Sequence, residues 1–391
     1  MIRPVLLALT LTGIVGCGSE TPANAAVATP TSTPAVSEKA TSNKGTIRIT
    51  EVAKGLAFPW AVAFLPDRRM LVTERPGNLR IVTADGTVSA PIAGVPKVFA
   101  AGQGGLLDVA LSPKFADDKL VYLSYAEASA DGNAPAGTAV ARARFEGDAL
   151  HDLSVIYRQA PKLSTGNHFG SRLVFDDKGY LFITQGENNE RATSQDLDKL
   201  QGKLVRLNAD GSVPADNPFV GQDGVRPEIW SYGHRNMQGA ALNPVTRKLW
   251  TSEHGPRGGD ELNIPEAGKN YGWPIITYGI NYSGLKIPEA EGTEKAGMEQ
   301  PHHYWKVSPG LSGMAFTTAD SAWKGNLFLG SLAERQLIRL ELDSDRIVSE
   351  ERLLGDRKAR IRDVREGPDG NLYVLTEDSN GKLLRIEPPR S

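Results

Sequence analysis

A three-strand phrase recurs along this chain, and repeats of a size that cannot bury their own faces leave few folds open. The phrase first reads Trp60-Ala61-Val62-Ala63-Phe64-Leu65-Pro66-Asp67, then Met70-Leu71-Val72-Thr73-Glu74, then Gly77-Asn78-Leu79-Arg80-Ile81-Val82. The same grammar returns within residues 107–145, 172–207, 239–253, 313–340 and 363–386, which makes six copies about 40 to 70 residues apart. Forty-one glycines and twenty-five prolines punctuate these runs, which speaks against a helical bundle or a regular βα alternation. The pattern predicts an all-β fold: a six-bladed β-propeller with four-stranded antiparallel blades, occupying residues 45–391. A ring of this kind must be closed across the chain ends. The alternation in Thr46-Ile47-Arg48-Ile49-Thr50 marks the natural partner for the terminal strand around Leu384.

Residues 1–16 carry Arg3 and an apolar stretch from Val5 onward, the pattern of a lipoprotein-type export signal. The step Ile14-Val15-Gly16-Cys17 resembles a lipobox, which would leave Cys17 as a lipid anchor; ordinary signal cleavage near Ala23 to Ala26 is the alternative. Either outcome puts the protein at the periplasmic side or the cell surface, and the lipidated form would be tethered to a membrane. Residues 17–44 are rich in Ala, Thr, Ser and Pro and read as a flexible linker. Cys17 is the only cysteine, so neither an intramolecular disulfide nor a cysteine zinc site can form. With 44 Lys+Arg against 46 Asp+Glu and no long basic stretch, the chain has no footprint for nucleic acid.

Propellers carry their chemistry on the loops at one end of the central channel. Four inter-repeat segments differ from ordinary turns: residues 100–105, 166–172, 233–238 and 253–261. Together they would aim Gln103, His168, Arg235, Asn236 and a glycine-rich carbonyl loop at one channel mouth. Each has a plainer reading. His168 alone could be a structural histidine bonded to a carbonyl, Arg235 a bridge between blades, and Gln103 a turn residue. His302 and His303 resemble a metal pair, yet neighbours in an extended segment point opposite ways. His151 and His234 read as structural. In residues 253–261, Gly255-Pro256 and Gly258-Gly259 bend the chain so that carbonyls converge, and Asp260 and Glu261 add carboxylates. Such hard oxygen donors suit Ca²⁺, and a tight turn with solvated acids is the alternative.

These segments, followed by Gly268-Lys269-Asn270-Tyr271-Gly272-Trp273-Pro274 and Gly279-Ile280-Asn281-Tyr282, resemble the soluble pyrroloquinoline quinone (PQQ)-dependent glucose and aldose sugar dehydrogenases over about residues 45–388. The resemblance implies PQQ and Ca²⁺ as cofactors and oxidation of an aldose at C1 to the lactone, with an unidentified acceptor such as a cytochrome or quinone taking the electrons. It places the general base on His168 and cofactor contacts on Gln103, Arg235, Asn236, Tyr282, Arg360 and Arg362. It assigns one calcium to main-chain oxygens of Gly255 and Pro256, and a second to Glu261 and Tyr271.

In one place the chain departs from the family pattern. A lysine that touches the cofactor in the glucose dehydrogenases follows a Ser-Leu pair, whereas here Ser331-Leu332 precedes Ala333. Two residues on, Arg335 would share a face with Ala333 in an extended strand and could supply the charge. Short inter-blade loops resemble the broad-range aldose branch more than the glucose-specialised one. Two other classes stay open: a calcium-dependent propeller lactonase, which would want acidic or amide side chains on a central metal, and a non-catalytic surface binding module.

Overall fold

Short strands with both faces apolar stack as separate sheets around a ring. The computed structural model describes residues 37–130, 134–164 and 166–390. The export signal, Cys17 and the first part of the spacer lie outside the described residues. Blade 1 begins with strand Pro59–Phe64, blade 2 with Leu106–Leu111, blade 3 with Leu173–Phe175, blade 4 with Met237–Leu242, blade 5 with Leu311–Phe316 and blade 6 with Ile361–Glu366. Each sheet is antiparallel, and each of these first strands packs against the first strands of the blades before and after it. The last of them meets the first, so the ring is closed.

The core is divided in the same way. A buried apolar cluster fills each of the six blade-to-blade interfaces: Trp60 and Leu79 meet Leu106 and Leu123 between blades 1 and 2, for example, and Trp250 meets Leu311 and Leu329 between blades 4 and 5. A strand such as Met70–Glu74, buried along its whole length, is the product of having a neighbour on both faces.

Blade 6 is completed from the other end of the chain. Strand Gly45–Leu56 pairs antiparallel with Gly381–Glu387, with Ile49 opposite Ile386 and Thr50 opposite Arg385, as the alternation from Thr46 predicts. Ile47 and Ile49 point into the interface with blade 5. The expected spacer ends earlier than residue 44, because Ser37–Ser42 forms a further edge strand on Gly45–Leu56. Its side chains contribute little to the core; backbone pairing and the Arg357 ion pair with Glu38 hold it. Blade 6 therefore has five strands and blades 2 to 5 have four. Blade 1 has three, and residues 83–92 supply an irregular outer edge through Ser89 N–H to Ile81 O and Ile92 N–H to Leu79 O, both 2.9 Å. Pro91 has no N–H for a regular ladder there.

Candidate active site

In an antiparallel blade, the start of the first strand and the end of the second lie at the same edge. Residues at these points converge on a cavity of about 1200 Å³ at one mouth of the channel. Trp60 and Arg75 come from blade 1, Gln103 from the approach to blade 2, His168 from the approach to blade 3, and Ala333 from blade 5. Blade 4 sends Arg235, Asn236 and residues 254–258, while blade 6 sends Arg360, Arg362 and Glu377. The loops singled out by sequence thus meet in one place, although they are spread over residues 100–261 of the sequence.

His168 is held from several sides. Its N–H donates to Gln103 Oε1 at 2.9 Å, and its ring Nδ1 lies 2.7 Å from Glu187 Oε2, a fully buried carboxylate. A carboxylate only accepts, so Nδ1 carries the proton and Nε2 is the nitrogen offered to the cavity. Gly186 makes this packing possible, since a Cβ there would fall 1.9 Å from the His168 carbonyl oxygen. Asn236 spends its side-chain oxygen on the Gly170 N–H at 3.0 Å, leaving the amide nitrogen as the donor it can offer.

The cations are arranged around buried acceptors. Arg235 donates from its N–H to Glu253 Oε2 (2.6 Å) and from one guanidinium nitrogen to the His254 carbonyl (3.0 Å), with the guanidinium 5.4 Å from the Trp273 ring centre. Arg362 donates to Gln238 Oε1 at 2.6 Å and pairs with Glu377 at 2.8 Å. Arg360 holds the same carboxylate at 2.7 Å and the Leu332 carbonyl at 3.1 Å. Nε of Arg235 and Nε of Arg362 are buried with no partner among the described residues. Burial lowers Arg362 from its ordinary value, with Glu377 opposing the change. Burial would raise the Glu377 carboxyl, but Arg362 and Arg360 outweigh it and hold the group at about 2. His254 is driven well below the usual imidazole range by burial and by Arg235 and Arg362, so it lines the cavity as a neutral ring.

Tyr282 lines the cavity at its rim with 71% of its surface exposed. Gly255 and Pro256 also line it, and their carbonyl oxygens accept no hydrogen bond among the described residues. Asp260 is not a free ligand: its carboxylate accepts from the N–H groups of Gly255 (2.9 Å), Gly310 (2.8 Å) and Leu311 (3.0 Å), which braces the carbonyl loop against blade 5. Glu261 and Tyr271 lie outside the cavity lining. The Glu261 carboxyl is pushed well up by burial and by Glu253, with which it is paired across adjacent strands. Tyr271 stacks on His234, and its phenol donates to the Ile264 carbonyl and accepts the Glu266 N–H, so only its main-chain oxygen is available to a cation.

Arg335 does not take the place of the missing lysine. The strand ends at Ser331 and the chain turns, with Arg335 at φ 58°. The side chains of Ala333 and Arg335 therefore do not share a strand face: Ala333 lines the cavity, and Arg335 lines a neighbouring depression. Lys306 is the cavity-lining ammonium that the sequence did not suggest. Glu187 and Glu377 were equally unmarked, since no local pattern distinguishes them, whereas Gln238 closes the segment 233–238 that the sequence singled out. His302 contacts the Trp250 ring and the Asp345 carbonyl, and His303 packs on Trp305.

One mouth of the closed six-bladed ring thus holds a histidine oriented by a buried carboxylate, two buried arginines, Arg235 and Arg362, and the more exposed Arg360. Residues 56–385 match the glucose/sorbosone dehydrogenase family, and the chain belongs to it. It is 56% identical over 348 residues to the aldose sugar dehydrogenase YliI of Escherichia coli, covering 88% of this chain and 93% of that one. The apo structure of the soluble aldose sugar dehydrogenase of Escherichia coli matches with a TM-score of 0.85, covering 88% of this chain and 99% of that one at 56% identity. The PQQ-bound aldose sugar dehydrogenase of Streptomyces coelicolor matches at 0.72 and 29% identity, covering 90% and 99%.

Proposed function

We propose that the protein is a PQQ-dependent aldose dehydrogenase that oxidises the C1 hydroxyl to the lactone, with His168 as general base. The observation that carries this reading is the pairing of His168 with buried Glu187 beside arginine nitrogens that have no partner of their own. A tricarboxylate quinone fits such a cavity, because buried guanidinium groups that keep an unpartnered Nε–H favour anionic acceptors. The free carbonyls of Gly255 and Pro256 suit a hard cation at its edge. When bound, the quinone supplies the hydride acceptor and Ca²⁺ the Lewis acidity that favours charge on its carbonyl.

The chain's own residues do the rest. A sugar hydroxyl within ~3 Å of His168 Nε2 would lose its proton to that nitrogen as the C1 hydrogen departs. Glu187 fixes the tautomer, and Gln103 fixes the backbone that carries the ring. Arg235, Arg362 and Arg360 would hold the cofactor's carboxylates, with Asn236 as a neutral donor and Tyr282 covering the rim. Glu261, beside Glu253, has the charge for a second calcium away from the cavity. Export with a lipid tether at Cys17 belongs to the same reading, supported by the apolar run before Gly16-Cys17.

The lactonase reading loses ground because the cavity's buried acids are committed: Asp260 to three N–H groups and Glu377 to two arginines. Titration of apoprotein with PQQ and Ca²⁺ tests the proposal. A saturable quinone absorption band that bleaches on adding glucose or another aldose is expected; no band, or a band indifferent to every aldose tried, would overturn it.

A further inference from the structure

Eight large apolar side chains are strongly exposed among the described residues, and four of them gather at one place, the cavity mouth. Ile280, Tyr282 and Val307 line the mouth, and Leu285 closes the turn beside them, its carbonyl accepting the Asn281 N–H at 2.8 Å. Clustered apolar exposure of this kind marks an interaction surface. Toward blade 6 the cavity shares a wall, made of Arg360, Glu377 and Asp378, with a second depression of about 410 Å³. Five cations line that depression: Arg335, Arg357, Lys358, Arg360 and Lys382. Its two carboxylates are those of Glu377 and Asp378.

Three of these cations have acidic partners: Arg357 with Glu38, Arg360 with Glu377 and Lys382 with Glu51. Arg335 and Lys358 have no ion pair among the described residues. Both stand at positive φ, 58° and 50°, where a residue with a Cβ sits at a cost. With Glu377, Asp378, Glu38 and Glu51 set against its five cations, the patch keeps a small positive excess carried by Arg335 and Lys358, opposite in sign to the −2 of the whole chain.

Resting on the dehydrogenase reading, we propose that the apolar rim and the basic depression together form the docking face for an acidic one-electron carrier protein. Oxidation of an aldose to its lactone breaks the C1–H and O–H bonds, forms the C1=O bond and releases two electrons and two protons. A haem or iron–sulfur carrier accepts one electron per encounter, so two oxidised carriers are reduced in turn for each sugar, and the protons pass to water. An apolar centre next to a charged border suits a brief encounter of this type, with the charges steering the approach. The shared wall at Arg360 keeps the docked carrier one side chain from the cavity.

The test uses an acidic cytochrome as probe and a basic cytochrome c as its counterpart. Binding to the apoprotein is measured by calorimetry at rising ionic strength, and cytochrome reduction by stopped flow with the PQQ-loaded enzyme. We expect the apoprotein to bind the acidic cytochrome in a salt-sensitive manner and to ignore the basic one. The double variant Arg335→Glu, Lys358→Glu should weaken binding and slow cytochrome reduction by ~10-fold or more. Its PQQ titration and its reaction with a small neutral acceptor should match wild type. Leu285→Asp, on the apolar side, should weaken the same binding independently. Equal binding of the basic cytochrome, an unchanged double variant, or binding to phosphatidylglycerol vesicles in place of the cytochrome would overturn the docking face. Failure of PQQ titration in wild type would instead overturn the dehydrogenase reading, because the apoprotein binding experiment does not depend on the cofactor.

Discussion

His168 stands at φ 52°, a conformation that costs a residue with a Cβ about 1 kcal/mol or more and persists only where its surroundings impose it. Here Gln103, Glu187, Asn188 and the glycine at 186 impose it together. His168→Gln should lower kcat by ~10²-fold or more while the quinone titration stays near wild type. Glu187→Gln frees the ring to adopt the other tautomer and should cost ~10-fold or more in kcat, again with cofactor affinity preserved; full activity in either variant would remove that residue from the mechanism. Glu377 lends itself to a pH experiment. Its carboxyl is held at about 2 in the fold against an ordinary value of 4.5, so its contribution to stability is fully present above that ordinary value and is lost as pH falls toward 2. For this nearly buried group the contribution is on the order of 3 kcal/mol. Glu377→Gln should therefore be less stable than wild type at pH 7, with the gap narrowing near pH 3 in denaturant titrations; a gap that ignores pH would refute the assignment. Residues such as His168 and Arg235 were legible because each sits among glycines or amides in a loop that breaks the repeat. Glu187 and Glu377 were not, since a carboxylate acquires such a role only when another segment of the fold brings an imidazole or two guanidinium groups to it.

Strands are where the sequence speaks most plainly here. The alternation in residues 46–50 places Ile47 and Ile49 inward, and their burial at 1% and 2% follows from the closure of blade 6 by the N-terminal strand. Ile49→Ala should destabilise the fold by about 2–5 kcal/mol, the usual range for emptying an aliphatic core position. Thermal unfolding would show it, and a shift too small to detect would mean that the chain ends do not close the ring. Ser37–Ser42 escaped notice because a strand held by its backbone, with exposed side chains, has no apolar period to read. The outer edge of blade 1 escaped for the converse reason: Thr87-Val88-Ser89-Ala90 resembles a strand, and Pro91 then denies it a donor. Arg335 shows a third failure. Its assignment to the cavity assumed that the strand runs on past Ser331, whereas the turn that begins there sends the side chain to a different depression.

At the scale of the whole molecule, the ring is tied through its centre as well as around its rim. Arg172 of blade 3 pairs with Asp108 of blade 2 at 3.1 Å and Asp363 of blade 6 at 3.0 Å, and Arg365 joins both carboxylates. These ties cross the channel beneath the cavity, with the Arg172 guanidinium 4.1 Å from the ring centre of Trp60. Ion pairs among blades 2, 3 and 6 thus back the cavity wall that Trp60 of blade 1 lines. Blade 4 differs, because both proposed calcium positions lie on it: the carbonyls of Gly255 and Pro256, and Glu261 with the main-chain oxygen of Tyr271. Glu253 and Glu261 face each other across paired strands, and the Glu261 carboxyl is pushed well up by burial and by the neighbouring Glu253. A divalent cation there would relieve that repulsion, and any ligand that binds only the folded state raises stability in proportion to the logarithm of its concentration over Kd, about 2.7 kcal/mol at one hundred times Kd. Added Ca²⁺ should therefore raise the Tm of chelated apoprotein even without PQQ, and Glu261→Gln should abolish most of that rise. Activity should respond separately, since the carbonyl position lies at the cavity and Glu261 does not: Glu261→Gln reconstituted with excess Ca²⁺ and PQQ should keep much of its turnover. If Ca²⁺ leaves the Tm of the chelated apoprotein unchanged, neither set of oxygens is a calcium site in the free protein.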